Sequence, residues 1–104
     1  MAYAFVHDVP ATPEMYAEIR KLLPTDAPAG LVAHLAFERD GGLRYVDVWE
    51  TQADWQRFHE GHVQPAVDEV LAGYGIQADH SQVPLHEPAL VDVWLGGAPA
   101  PAVR

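Results

Sequence analysis

Four segments of the chain show the alternation of apolar and polar residues that is typical of β-strands. The pattern is clearest in residues 31–50, where two alternating segments flank Asp40-Gly41-Gly42. Glycine readily adopts the positive φ that a tight hairpin turn needs, so this stretch predicts a β-hairpin. Residues 2–9 and 88–95 alternate in the same way and predict a first and a last strand.

Between the strands, two segments carry the signals of α-helices. Thr12, Pro13 and Glu14 suit an N-cap, the first helical position and the positive end of the helix dipole. Thr51 is the corresponding cap of a second helix. Pro65 is expected to interrupt that second helical region, because proline cannot donate a backbone hydrogen bond. The first helix is expected to bury an apolar stripe made of Met15, Ile19, Leu22 and Leu23.

The predicted order of elements is βαββαβ, which defines an α+β fold of the ferredoxin-like type, a four-stranded antiparallel sheet with two helices on one face. Residues 1–95 form this single domain, and residues 96–104, rich in Gly, Pro and Ala, form a C-terminal tail. The third strand is apolar on both sides, since Val46 and Val48 alternate with aromatic residues. A second copy that stacks its sheet on this one would cover the other face, so we expect a homodimer through the sheet face.

The hairpin also predicts which side chains share a face. If its loop holds an even number of residues, His34 lies opposite Asp47 or Trp49 and shares one surface with Tyr45. An odd loop with a glycine bulge would turn one strand over and separate these side chains. The sequence favours the first arrangement, because two-residue loops are the commonest in hairpins.

Composition narrows the class of ligand. The formal net charge of −9 opposes binding to nucleic acid or to an anionic membrane, and favours a neutral or weakly acidic small molecule. The chain has no cysteine, which excludes a disulfide framework and a thiolate metal site. It also has no apolar stretch long enough to span a bilayer and no signal peptide at residues 1–10, so we expect a cytoplasmic protein.

Two segments resemble the dimeric α/β barrel superfamily, and in particular the small domains related to antibiotic biosynthesis monooxygenases. They are YVDVWETQADWQRF, residues 45–58, and HVQPAV, residues 62–67. In that group a strand typically ends in Trp-Glu-Ser and leads into a helix with an aromatic residue, and here Trp49-Glu50-Thr51 precedes Trp55 and Phe58. The resemblance extends over residues 2–95 and implies a dimeric α/β barrel built from two βαββαβ chains.

The resemblance also implies a cofactor-free monooxygenase acting on an aromatic or polyketide-like molecule between sheet and helices. Such a reaction needs a base, a donor for the resulting oxyanion and apolar walls. We expect His34, oriented by Asp47, to be the base, and Tyr45 or the Trp49 indole N–H to be the donor. The substrate-binding candidates are Phe5, His7, Leu23, Trp55, Phe58 and His62. For His7 the assignment depends on whether its face lies toward the helices. No cofactor is expected.

Two other interpretations remain open at this point. A polyketide cyclase or isomerase could use the same pocket, although the Tyr and His of similar plant cyclases fall at Phe58 and Gln64, leaving His59 and His62 as substitutes. A non-catalytic dimeric protein that binds a small ligand would keep Trp49 and Tyr45 as core aromatics and His34 as a hydrogen-bonded core residue.

Haem and metal sites are less favoured by the residues present. The haem-degrading branch binds iron through a His late in the second helix, and the region around Asp68 offers none. His59 and His62 lie three positions apart and could chelate a metal ion, but the sequence fixes no third ligand. We therefore expect no metal.

Overall fold

The computed structural model describes residues 2–79 and 84–96. Its strands form one antiparallel sheet in the order β1-β3-β2, and helices follow the first and third strands, so the fold belongs to the α+β class. The elements are β1 (Tyr3–Val9), α1 (Pro13–Leu22), β2 (Leu31–Arg39), β3 (Gly42–Trp49), α2 (Gln52–Phe58), a π-helical turn (His59–Val63) and α3 (Gln64–Gly73).

The β2–β3 hairpin has the two-residue loop that the sequence favours. Arg39 pairs with Gly42, and Gly41 in the loop has φ of 82°. The pairing continues through His34 opposite Asp47, and the register shifts at Val32, between Leu31 and Ala33. The even loop therefore places His34 and Asp47 on one face, as predicted.

The three strands divide their side chains between two surfaces. Phe5 pairs with Asp47 and His7 with Tyr45, so alternate residues of β1 and β3 face the helices together with His34. Aromatic contacts confirm the direction, because the Trp55 ring of α2 lies 5.2 Å from that of Phe5. The opposite surface, which we call the open face, consists of Ala4, Val6, Asp8, Ala33, Leu35, Phe37, Arg39, Arg44, Val46 and Val48.

Helix α1 begins as predicted. Thr12 is its N-cap, and the Thr12 hydroxyl accepts a hydrogen bond of 3.1 Å from the Met15 N–H. Met15 and Ile19 pack against Ala66 and Val70 of α3, which forms a core between the helices. Leu22 was expected in the buried stripe and is 45% exposed, because Leu23, one residue beyond the helix, takes the place beside that core.

The second helical region is continuous but contains a wide turn. Thr51 caps α2 by accepting a 3.0 Å hydrogen bond from the Asp54 N–H. Ahead of Pro65, the Gln64 N–H donates to the His59 carbonyl, five residues back, as in a π-helix. Pro65 has no N–H for the usual bond to the Gly61 carbonyl, so the helix widens here and continues rather than ending.

The fourth strand predicted at residues 88–95 is not a strand within the described part of the chain. Ahead of that segment, His86 forms an isolated bridge to Val6 of β1, with one backbone hydrogen bond in each direction. Pro84 and Pro88 lie two residues to either side of His86 and have no N–H for the ladder, so the pairing ends there. The sheet therefore has three strands where four were expected, and the Trp94 side chain beyond it is 92% exposed.

The C-terminal tail falls outside the described residues apart from Gly96, so its boundary stays a prediction. Across residues 2–79 and 84–96, no helix is long and apolar enough to cross a membrane.

Candidate functional site

A cavity of about 670 Å³ lies between the helix-facing surface of the sheet and the helices. This volume falls within the range of about 300–1,000 Å³ that is usual for small-molecule sites. Its walls come from β1, α1, β2, β3, α2, the π-helical turn and α3. The cavity exists because the helical core of Met15, Ile19, Ala66 and Val70 packs on itself and leaves space above the sheet.

His34 and Asp47 form the central polar contact of this cavity. The register places them opposite each other, and His34 Nδ1 lies 2.6 Å from Asp47 Oδ1. Asp47 is only 6% exposed, and its second oxygen accepts a hydrogen bond of 3.1 Å from the Trp49 indole N–H. Two donors thus hold a buried carboxylate that would otherwise be costly to desolvate.

The Trp49 indole N–H was expected to donate to an oxyanion on the substrate, but it makes a different contact. Its indole N–H donates to Asp47, so it is not free to stabilise an oxyanion in the cavity. The ring is 3% exposed and packs at 5.9 Å from that of Phe58. Trp49 thus contacts the polar group through Asp47, whose carboxylate it helps to hold in place.

Tyr16 of α1 completes the polar group and was not singled out from the sequence. Its hydroxyl lies 2.8 Å from His34 Nε2, and the two rings are stacked at 6.1 Å. One available signal could have found it, since Tyr16, Ile19 and Leu23 follow each other at helical spacings of three and four residues. That stripe faces the cavity, and all three residues line it.

Tyr45 lies beside this group, as predicted. Its ring is 5.3 Å from that of His34 and 5.7 Å from that of Tyr16. Burial raises the pKa of Tyr45, and the neighbouring Tyr16 and Asp47 raise it further. Burial likewise raises the pKa of Tyr16, with Asp47 adding to the effect and Arg20 opposing it. Both phenols therefore remain protonated at neutral pH and can act as hydrogen-bond donors.

The rest of the cavity wall is largely aromatic and aliphatic. Of the six substrate-binding candidates, five line the cavity, namely Phe5, His7, Leu23, Trp55 and Phe58. The wall also includes His59 of the π-helical turn, whose ring stacks on that of Trp55 at 4.9 Å. A flat apolar ligand would find stacking partners on these rings.

His62, the sixth candidate, does not line the cavity. It is exposed, and its ring packs at 5.2 Å on that of Phe58. In an α-helix, His59 and His62 would share a face, but the π-helical turn spreads residues three positions apart around the axis. His59 accordingly lines the cavity, whereas His62 does not. Among the described residues, no group of three or more His, Cys, Asp or Glu is arranged to hold a metal ion.

The arrangement can accept and return a proton at His34. A carboxylate paired with one imidazole nitrogen fixes the ring and stabilises the imidazolium that forms when the other nitrogen takes a proton. Phenolic hydroxyls next to the imidazole supply donors for a negative charge that develops on a ligand. The site therefore combines a base, donors and apolar walls.

In comparisons with known proteins, no protein-family model, no curated protein and no solved structure matches the chain.

Proposed function

We propose that the protein is a cofactor-independent monooxygenase that acts on an aromatic or polyketide-like small molecule in the cavity. The observation that supports this most is the buried Asp47 carboxylate held 2.6 Å from His34 at the wall of a largely apolar cavity. A base in such surroundings suits a substrate with an acidic C–H or O–H group next to a fused ring.

The chemistry can be written with an anthrone as the example. The base removes one proton from the ring CH₂ group, which leaves an electron-rich carbanion stabilised as its enolate. The carbanion gives one electron to O₂, and the resulting radical pair joins in a C–O bond. The peroxide anion takes the proton back from the protonated base, and the hydroperoxide then loses water. One CH₂ group and one O₂ molecule become one C=O group and one H₂O molecule. The protein supplies proton transfer and enolate stabilisation, and O₂ is the oxidant.

Charge also supports a neutral aromatic substrate. The chain has a formal net charge of −9, which opposes the approach of anions such as phosphates. Aromatic rings also line the cavity and would pack against a fused-ring ligand, namely those of Phe5, Trp55 and Phe58.

The test is product formation from anthrones, naphthols and poly-β-ketone mimics, measured in air and under strict anaerobiosis. The proposal expects turnover in air alone, with one O₂ consumed for each ketone formed. Turnover in both atmospheres would contradict oxygenation and favour a cyclase or isomerase, since His34 and its phenolic neighbours also suit an aldol closure. Tight binding without turnover would favour a small-molecule-binding protein.

We further propose that two copies associate through the open face, as in a dimeric α/β barrel. Leu35 and Phe37 follow each other on that face of β2 and are 52% and 50% exposed. Such exposure is unusual for two large apolar side chains that lie side by side. The open face carries two arginines, Arg39 and Arg44, against the single acid Asp8, to which both are paired. The formal charge of this face is therefore +1, although each chain has a net charge of −9. Two chains repel each other less at a face without excess negative charge.

Replacing Phe37 by aspartate is therefore expected to give a monomer. Sedimentation velocity at micromolar concentration should show a dimer for the wild type and a single smaller species for Phe37→Asp, because an unpaired carboxylate would be desolvated in the contact. Leu22→Asp is the matched control: Leu22 is 45% exposed on α1, away from the sheet, and this variant should stay dimeric. A wild type that sediments as a monomer contradicts the dimer.

A further inference from the structure

The hydrogen bonds of Asp47 determine where the proton of His34 sits. An ionised carboxylate only accepts hydrogen bonds, and the Trp49 N–H already donates to Oδ2. The Oδ1 atom, 2.6 Å from His34 Nδ1, therefore needs a donor there, so the neutral imidazole carries its proton on Nδ1. His34 Nε2 is then left as an acceptor.

That acceptor is already occupied. The Tyr16 hydroxyl lies 2.8 Å from His34 Nε2 and is the donor that a neutral Nε2 requires. The lone pair of Nε2 consequently points at Tyr16 and not at the open part of the cavity. Tyr16 lines the cavity, so a ligand that approaches the polar group there would meet its hydroxyl, whose oxygen can still accept a proton.

We propose that Tyr16 is a catalytic residue that relays the substrate proton to His34. This inference rests on the proposed function and changes which atom takes the proton from the substrate. The Tyr16 oxygen takes it in place of His34 Nε2. The substrate proton passes to the Tyr16 oxygen as the Tyr16 proton passes to His34 Nε2. The O–H bond of the phenol is re-formed on its other side, the substrate becomes an enolate, and His34 becomes an imidazolium paired with Asp47. No charge is left on Tyr16.

The surroundings of Tyr16 favour the simultaneous transfer of both protons over a Tyr16 phenolate that forms as an intermediate. Burial raises the pKa of Tyr16, which disfavours loss of its proton without simultaneous replacement. Stacking at 6.1 Å holds the Tyr16 and His34 rings nearly parallel, at 12°, so the hydroxyl stays aligned with the imidazole edge. The re-formed hydroxyl can then donate to the enolate oxygen or exchange its proton again.

The relay is tested by hydrogen exchange at the acidic carbon of anthrone, in D₂O without oxygen, so that only proton transfer is measured. Tyr16→Phe should exchange at least about 100-fold more slowly than wild type, the usual contribution of a proton-transfer group. Tyr74→Phe is the matched control, because the Tyr74 hydroxyl donates to Glu18 outside the cavity, and it should exchange like wild type. Quenching of tryptophan fluorescence should show that both variants still bind anthrone.

A second readout needs no substrate. ¹⁵N NMR of the free protein should find His34 protonated on Nδ1, with the Nε2 resonance shifted by Tyr16→Phe and not by Tyr74→Phe. Exchange in Tyr16→Phe as fast as in Tyr74→Phe overturns the relay and leaves the proposed oxygenase standing with His34 as direct base. A neutral His34 protonated on Nε2 also overturns the relay, because its lone pair would then face Asp47 and not Tyr16. A wild type that neither exchanges nor oxidises anthrone overturns the proposed function, and the relay with it.

Discussion

Replacing Asp47 by asparagine is expected to lower the turnover of an anthrone by at least about 100-fold, the scale of losing a correctly oriented general base. The asparagine side chain would have one acceptor oxygen and an NH₂ group where the carboxylate receives two donors, from His34 and Trp49. An NH₂ group opposite His34 Nδ1 would favour the other tautomer and turn Nε2 into a donor. The substitution keeps the size of the side chain, so steady-state rates in air measure the electrostatic change.

The variant should still fold. Two hydrogen bonds to an ionised carboxylate become weaker bonds to a neutral amide, which corresponds to about 1–3 kcal/mol of unfolding free energy. Asp92→Asn is the matched control, because Asp92 is exposed in residues 84–96, which follow α3 in the chain. The turnover rate of this variant should equal that of the wild type. If Asp47→Asn turned over substrate as fast as Asp92→Asn, Asp47 would have no part in orienting the base.

Replacing Trp49 by alanine is expected to lower the free energy of unfolding by about 3–5 kcal/mol, the usual cost of truncating a large buried aromatic residue. Trp49 is 3% exposed, lies against Phe58 and donates to the buried Asp47. Its loss opens the wall of the cavity and leaves one Asp47 oxygen without its donor. Urea denaturation followed by circular dichroism measures the change.

Two other variants separate the causes. Trp49→Phe keeps much of the packing and loses the indole N–H, so about 1–3 kcal/mol of loss is expected from the hydrogen bond. Trp94→Ala removes an indole that is 92% exposed and should change stability by less than about 0.5 kcal/mol. Equal stability losses in Trp49→Ala and Trp94→Ala would mean that Trp49 does not anchor the sheet to the helices.

Local sequence signals predicted the parts of the site that depend on the hairpin. Asp40-Gly41 sets a two-residue loop, and the strict period of two in each strand then decides that His34 and Asp47 face each other. The capping residues Thr12 and Thr51 predicted both helix starts for the same reason, since each acts on atoms within three residues. These features require no knowledge of distant contacts.

Features that depend on distant contacts escaped prediction. Tyr16 meets His34 only because α1 packs across the sheet, and a sequence pattern on one helix cannot name its partner. The π-helical turn at His59–Val63 follows from Pro65, for which the sequence predicts an interruption of the helix but not a widening. The alternation of residues 88–95 suggested a strand, yet the prolines around His86 limit the backbone bonds that would make it one.

The central claim, that His34 in this cavity performs the chemistry, is tested most directly by oxygen uptake with saturating anthrone. His34→Ala should consume oxygen at least about 100-fold more slowly than wild type, whereas His86→Ala should match the wild type, because His86 is exposed and outside the cavity wall. Equal rates of oxygen uptake in His34→Ala and His86→Ala would contradict the account and move the reaction away from this site.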